Sequence, residues 1–268
     1  MTASNPTTAR WHDASDLLWS CWQEGRRLPD LPGDVRPRTR EEGYSIQACL
    51  EERTSGPLFG WKIAATSVAG QRHINVDGPL GGRLLREKAF DSGAELPFGA
   101  NHMRVAEAEF AFRMERDLPP REQPYSVDEA LDAVATLHPA IEIPDSRYDD
   151  FTIVGAPQLI ADNACAHLFV LGAAAPKDWR EVDLVAHRVL GAVVGEVARE
   201  GQGANVLGDP RVALAWLVNE LSGLGLTLRA GEVVTTGTCL VPLPIAPGAH
   251  VVMDFGRFGV VSTRLGER

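Results

Sequence analysis

The sequence predicts an α+β fold: a mixed or antiparallel β core behind a helical N-terminal region. Three observations predict it. Helical spacing and capping signals dominate the first 60 residues; short β-branched segments bounded by Gly or Pro outnumber helices after residue 100, with no regular βαβ alternation; and no G-x-G-x-x-G joins a strand to a helix, which sets a Rossmann sheet aside. At 268 residues, the chain has the size of one large domain that needs neither disulfide nor structural metal to fold. The expectation is a single catalytic domain over residues 1–268, helical over 1–60 and β-rich and metal-binding over 61–268.

Residues 11–27 place Leu17, Leu18, Cys21 and Trp22 on one side of a helix. Thr39 and Glu42 form a capping box before Tyr44, Ile46 and Leu50, and RRLPDLPGDVRPR reads as a Pro-rich connection. Ser126 and Glu129 open a third helix with the apolar stripe Leu131, Val134 and Leu137, ended by Pro139. Asp209 caps a fourth, with Pro210 in its first turn, carrying Val212, Trp216 and Leu217 to Gly223 or Gly225. The strand candidates are GWKIAAT, RVAEAEFAFRM, PAIEI, LVAHRVLGAVVGEVAR, EVVTTG, HVVMDF and GVVSTRL, the last two joined by the turn GRFG.

A net charge of −10 without any Lys/Arg cluster argues against nucleic acid. The four cysteines (Cys21, Cys49, Cys165, Cys239) are isolated, which argues against a zinc knuckle and fits a reducing compartment. The start MTASNPTTARW lacks an apolar signal core, and no apolar run approaches the ~20 residues of a membrane span. The expectation is a cytoplasmic protein with no membrane partner.

In Arg104–Arg113, a period of two puts Ala108, Phe110 and Phe112 on one face of a strand and Glu107 and Glu109 on the other. A solvated outer face is the plain alternative. Glu142, between Ile141 and Ile143 in a strongly apolar strand, favours an inward-facing cluster of oxygen ligands. Three carboxylates without His or Cys suit a hard cation such as Mg²⁺ or Mn²⁺. Lys62 lies in the apolar run Gly60–Ser67, where an ammonium needs a partner unless the strand edge is solvated. Asp77 reads most simply as a turn former, His73 as a loop histidine, Asp162-Asn163 as a cap or turn pair, and His167 as a buried, hydrogen-bonded histidine. Serine-hydrolase, zincin and P-loop signatures are missing.

Taken in order, Gly60–Ser67, Val76-Asp-Gly-Pro79, Glu107-Ala-Glu109, Pro139–Ile143 with Asp145-Ser-Arg147, Ala161-Asp-Asn-Ala164, Ala230–Gly237, Ala246-Pro-Gly248 and Asp254-Phe-Gly256 resemble the fumarylacetoacetate hydrolase superfamily, in its 2-oxopent-4-enoate hydratase and 4-oxalocrotonate decarboxylase branch. The resemblance runs collinearly over roughly residues 10–265. It implies a mixed β-sheet roll with flanking helices, a dimer or larger homo-oligomer, and a divalent cation, Mg²⁺ or Mn²⁺, held by Glu107, Glu109 and Glu142. It further implies Lys62 and Asp77 as catalytic residues, with Ser67, His73, Asp162 and Thr238 as substrate-binding candidates. The chain departs from the pattern at His73, at Cys165-Ala-His167 and at Trp61.

The implied activity is hydration of a 2-hydroxy-2,4-dienoate to a 4-hydroxy-2-oxo acid in aromatic (meta-cleavage) degradation, on a small anionic 2-oxo acid. A 4-oxalocrotonate-type decarboxylase is second and an acylpyruvate-type hydrolase third. A non-catalytic partner subunit, associated with a homologous decarboxylase, is the reading from a different class.

Overall fold

The structure is a computed structural model and describes residues 6–267, so Met1–Asn5 of the stretch read above for a signal core lie outside it. Two sheets form the core. The larger runs, in spatial order, β2 (Leu80–Leu84), β1 (Gly60–Ala64), β10 (Val233–Thr238), β5 (Val105–Met114), β6 (Val134–Ile143), β7 (Leu168–Leu171) and β3 (Ala89–Asp91), with β11 (Leu243–Pro244) against the start of β5. The smaller runs β4 (Glu95–Leu96), β13 (Val260–Leu265), β12 (His250–Asp254), β8 (Arg188–Val193) and β9 (Arg199–Gln202). β1/β10, β3/β7 and β4/β13 are parallel and the remaining pairs antiparallel. The expected α+β fold with mixed sheets is what forms.

The core follows the strand period. Ala106, Ala108, Phe110, Phe112 and Met114 of β5 point to one side and are buried with Leu137, Ile141 and Ile143 of β6, Val251 and Met253 of β12, and Val261 of β13. Helix α6 (Pro210–Gly223) closes this core with Leu214, Leu217 and Leu221; each such side chain contributes about 1.5–3 kcal/mol through burial. It starts where the sequence places it, with Asp209 accepting from the Arg211 amide and Pro210 in the first turn. A second cluster joins α1 (Pro6–Glu24) and α2 (Arg40–Ala48) to α5 (Gly155–Ala161) through Leu18, Ile46, Tyr148 and Ala161. Thr39 caps α2 at the Glu42 amide. Helix α3 (Val68–His73) is capped by Ser67, and α4 (Val127–Asp132) by the Ser126–Glu129 box. No helix among the described residues is long and apolar enough to cross a membrane.

Two elements differ from the expectation. The third helix does not reach Leu137: α4 ends at Asp132, and Val134 opens β6, where Leu137 pairs with Phe112. The spacing of Leu131, Val134 and Leu137 fits one helix face, but β5 offers this segment a ladder over Phe112–Met114, and tertiary pairing overrides the local pattern. Pro139 is tolerated because its C=O, and hence its own nitrogen, face β7 just past that strand's end, where the Gly172 amide donates to Pro139 O at 2.8 Å. The long strand candidate 184–199 divides instead into β8 and β9, with Gly195 at φ +96° in the turn between them.

One buried ion pair ties the N-terminal helices to the sheet. Arg147 donates from its guanidinium to the Asp162 carboxylate and main-chain O, and also reaches Asp145 O and Ala166 O. Its guanidinium carbon lies 4.6 Å from the centre of the Trp22 ring of α1. Asp162 is completed by Ser146 Oγ at 2.7 Å and the Arg147 amide at 3.0 Å. Removing one member leaves a buried charge without a partner. Asp162→Ala is therefore expected to lower unfolding free energy by about 3–5 kcal/mol, measured by urea denaturation; a loss below about 1 kcal/mol would contradict this account.

Candidate metal centre and cavity

Four neighbouring strands, β1, β10, β5 and β6, bring the acidic residues and Lys62 together. Glu107 of β5 stands directly opposite Glu142 of β6, and Glu109 follows on the same face of β5. Lys62 of β1 is registered with Thr235 of β10, which lies against β5. One oxygen from each of the three glutamates lies within 4.8 Å of the others. Glu109 and Glu142 are fully buried and Glu107 is half-buried, so the solvated-face alternative fails.

The cluster's own partners are few. Glu109 Oε2 accepts from Thr235 Oγ1 and from the Gly237 amide at 2.9 Å. Gly237 holds φ +89°, a region that only glycine enters freely. Lys62 Nζ lies 3.0 Å from Glu142 Oε1, but without the angle of a hydrogen bond, and donates to Ala164 O at 3.0 Å. Both Glu142 oxygens and Glu109 Oε1 are left buried with no hydrogen-bond partner. Burial and the neighbouring Glu142 raise Glu107 to a pKa of about 7, and burial with Glu142 and Glu107 pushes Glu109 well above the usual carboxylate range. Burial works against the Lys62 ammonium, yet Glu142, Glu107 and Glu109 outweigh it and raise its pKa. Orphaned, buried carboxylate oxygens with one ammonium among three acids fit a divalent oxygen-seeking cation.

Supporting residues come from the loop after α5. Asn163, Ala164 and Cys165 hold three successive left-handed φ values of 55°, 50° and 61°. Asn163 pins this turn by accepting from Arg83 N at 2.6 Å and donating to Arg83 O at 2.8 Å. Gly82, opposite Lys62 on β2, leaves room for both: a Cβ there would meet Asn163 O and the Lys62 stem. Strain of this kind collects where a site dictates the backbone.

The cluster borders a cavity of about 970 Å³ whose lining includes Lys62, Glu107, Ser67, His73 and Thr238. Two nominated residues are not brought there. Asp77 is 86 % exposed in its side chain and faces Arg40 at 3.3 Å, so its carboxylate serves the loop and not the cavity. Asp162 has both oxygens taken by Arg147 and Ser146 and does not line the cavity. His167 is the buried histidine the sequence suggests: Trp22 Nε1 donates to its Nδ1 at 2.8 Å, and burial, with Arg147 nearby, lowers its pKa to about 3. Thr235, Gly237 and Ala164 escape a reading of the sequence, because a hydroxyl, an amide and a carbonyl carry no signal until β10 lies beside β5.

Fold and site define a mixed-sheet protein with three carboxylates clustered beside a cavity. The family described as fumarylacetoacetate (FAA) hydrolase C-terminal matches residues 79–266. The chain belongs to the fumarylacetoacetate hydrolase family. It is 33% identical over 260 residues, 96% of its length and 95% of the relative's, to 2-keto-4-pentenoate hydratase of Paraburkholderia xenovorans (strain LB400). It is 31% identical over 255 residues, covering 93% and 95%, to 2-hydroxyhexa-2,4-dienoate hydratase of Comamonas testosteroni. Among solved structures, 4-oxalocrotonate decarboxylase from Pseudomonas putida G7, complexed with magnesium and adipate, aligns at TM-score 0.87 and 25% identity, covering 96% of this chain and 97% of that one.

The raised carboxylates give a pH signature. A glutamate with a folded pKa near 7 against an ordinary 4.5 costs the fold progressively more as pH rises between those values, and a constant amount above them. The chelator-treated chain should therefore lose thermal stability between about pH 5 and 7. Millimolar Mg²⁺ should restore it, with a gain in Tm larger at pH 7.5 than at 5.5. Scanning calorimetry reads both; an Mg²⁺ effect that is absent, or unchanged in Glu109→Gln, would remove the cation from this site.

Proposed function

We propose that this chain is a Mg²⁺- or Mn²⁺-dependent hydratase that converts a 2-hydroxy-2,4-dienoate into a 4-hydroxy-2-oxo acid. The carrying observation is a buried acid cluster with orphaned oxygens at the inner end of a largely apolar cavity, in a chain aligned along nearly its full length with named hydratases. Glu107, Glu109 and Glu142 would hold the cation. When bound, it would supply a Lewis acid for the carboxylate and 2-oxygen of the substrate.

The protein's own contribution is orientation and charge. An ammonium has three donors; in Lys62 one serves Ala164 O and one faces Glu142, which leaves the third for an oxygen of the 2-oxo acid. Thr235 and Gly237 fix the rotamer of Glu109. In the overall reaction the 2-hydroxyl gives up its proton while C5 gains one, which converts the dienol into a 2-oxo-3-enoate. Water then bonds through oxygen to C4 and its proton goes to C3. Lys62 is assigned to the proton and to substrate orientation. Asp77 takes no part, since its carboxylate is turned to solvent and Arg40.

The decarboxylase reading draws support from the P. putida G7 neighbour, and the cavity chemistry argues against it: Lys62 is the only Lys or Arg of the described lining, so a second carboxylate would lack a strong cationic partner. Metal-stripped enzyme reloaded with Mg²⁺ or Mn²⁺ should add water to 2-hydroxypenta-2,4-dienoate, followed by dienol absorbance and product mass, and should release no CO₂ from 2-oxohex-4-enedioate. Lys62→Met should lower kcat by about 10²–10⁴-fold, the range for a positioned proton-transfer group. CO₂ release from the diacid without hydration of the monoacid would move the assignment to the decarboxylase.

A further inference from the structure

The cavity has two chemically distinct ends, and the outer one exceeds what a five-carbon acid needs. Its inner end carries Lys62, buried, and Glu107. Toward the mouth stand Val68 and Val241, apolar side chains left 63% and 68% exposed. Ile74, Met103, Phe151 and Leu207 add to the apolar lining. Several polar groups along this wall each hold one main-chain contact: Ser67 Oγ accepts from the Gly70 amide at 3.0 Å, Gln71 donates to Ala65 O at 3.1 Å, Asn205 donates to Cys239 O at 2.8 Å and Thr238 donates to Leu240 O at 2.7 Å. His73 stands edge-on to Phe151, with ring centres 5.9 Å apart. At about 970 Å³ the space lies at the upper end of the roughly 300–1,000 Å³ that enclose drug-sized ligands.

We propose that the outer cavity is a subsite for a bulky apolar group on C5 of the dienoate, an alkyl chain or an aryl-bearing arm, and that Val68 and Val241 are specificity-determining residues at its mouth. The inference rests on the hydratase reading and specifies its substrate class. With the 2-oxo acid end at Lys62 and Glu107, the C5 end points away from the site's charges and along the apolar wall. There an apolar group leaves water, whereas a carboxylate would give up its hydration with no Lys or Arg but Lys62 in the described lining to pair with. Each buried methylene is worth roughly a fourfold gain in binding.

The test is kcat/KM of the Mg²⁺-loaded enzyme on three compounds: 2-hydroxypenta-2,4-dienoate, 2-hydroxynona-2,4-dienoate with a butyl group on C5, and 2-hydroxyhexa-2,4-dienedioate with a carboxylate there. The nonadienoate should exceed the pentadienoate at least tenfold, and hydration of the diacid should fall at least tenfold below it. Val241→Asp and Val68→Asp, at exposed positions that the fold does not depend on, should each cut the nonadienoate-to-pentadienoate ratio at least tenfold. If the pentadienoate turns over and the nonadienoate does no better, or the diacid is hydrated as well as the pentadienoate, the subsite is overturned while the hydratase reading stands. If no compound gains water in the presence of Mg²⁺, the hydratase reading fails and the subsite falls with it.

Discussion

Three carboxylates held within 4.8 Å of one another in a buried space are the constraint on which the rest of this structure depends. Like charges that close, away from water, repel strongly and drive one another toward protonation. The fold supplies one ammonium, Lys62, one hydroxyl, Thr235, and one amide, Gly237. That leaves three oxygens without a hydrogen bond. A sequence selected only for stability would place Ile or Val at Glu142, whose two chain neighbours are already isoleucine. Keeping an acid there accepts a cost that protonation or a further positive charge would offset.

The sheet order follows from this constraint. Lys62, Thr235, Glu109 and Glu142 come from four strands far apart in sequence, and β1, β10, β5 and β6 lie side by side. The parallel β1/β10 pair brings residue 62 against residue 235, a contact that local structure cannot make. Opposite-face residues of β5, Ala108, Phe110 and Phe112, fill the main core. The period of two thus separates the charged face from the apolar one without any change of backbone. A one-residue slip of β5 would exchange them, so the core's hydrophobic gain also fixes the register of the acids.

What the sequence revealed and what it hid divide along the same line. Glu107, Glu109 and Glu142 were legible because alternation within a strand and an acid between isoleucines are local patterns. Asp209-Pro210 marked α6 for the same reason. The segment from Val134 to Leu137 misled because its apolar spacing suits a helix and a strand alike, and only pairing with β5 decides between them. Asp77 and Asp162 were nominated from short motifs, which report that a residue type is present and not which partner its side chain meets. Arg40 and Arg147, 37 and 15 residues away, hold those carboxylates elsewhere. Lys62 showed as an anomaly, but its acceptor, Ala164 O, belongs to a left-handed turn that no propensity signals.

That turn also gives Asp162 a different part from the one its motif suggested. Asp162 immediately precedes Asn163–Cys165, whose positive φ values would relax if the preceding residue were free to move. Arg147 clamps it from both its carboxylate and its main-chain O, while Trp22 of α1 covers the guanidinium. From the far side, Asn163 fastens the turn to the Arg83 backbone of β2. Ala164 O is thereby held where Lys62 donates to it, and Lys62 where it faces Glu142. The packing of the N-terminal helix and the position of the cavity's one lysine are thus linked through a single buried ion pair, and Asp162 acts on the site without touching its cavity.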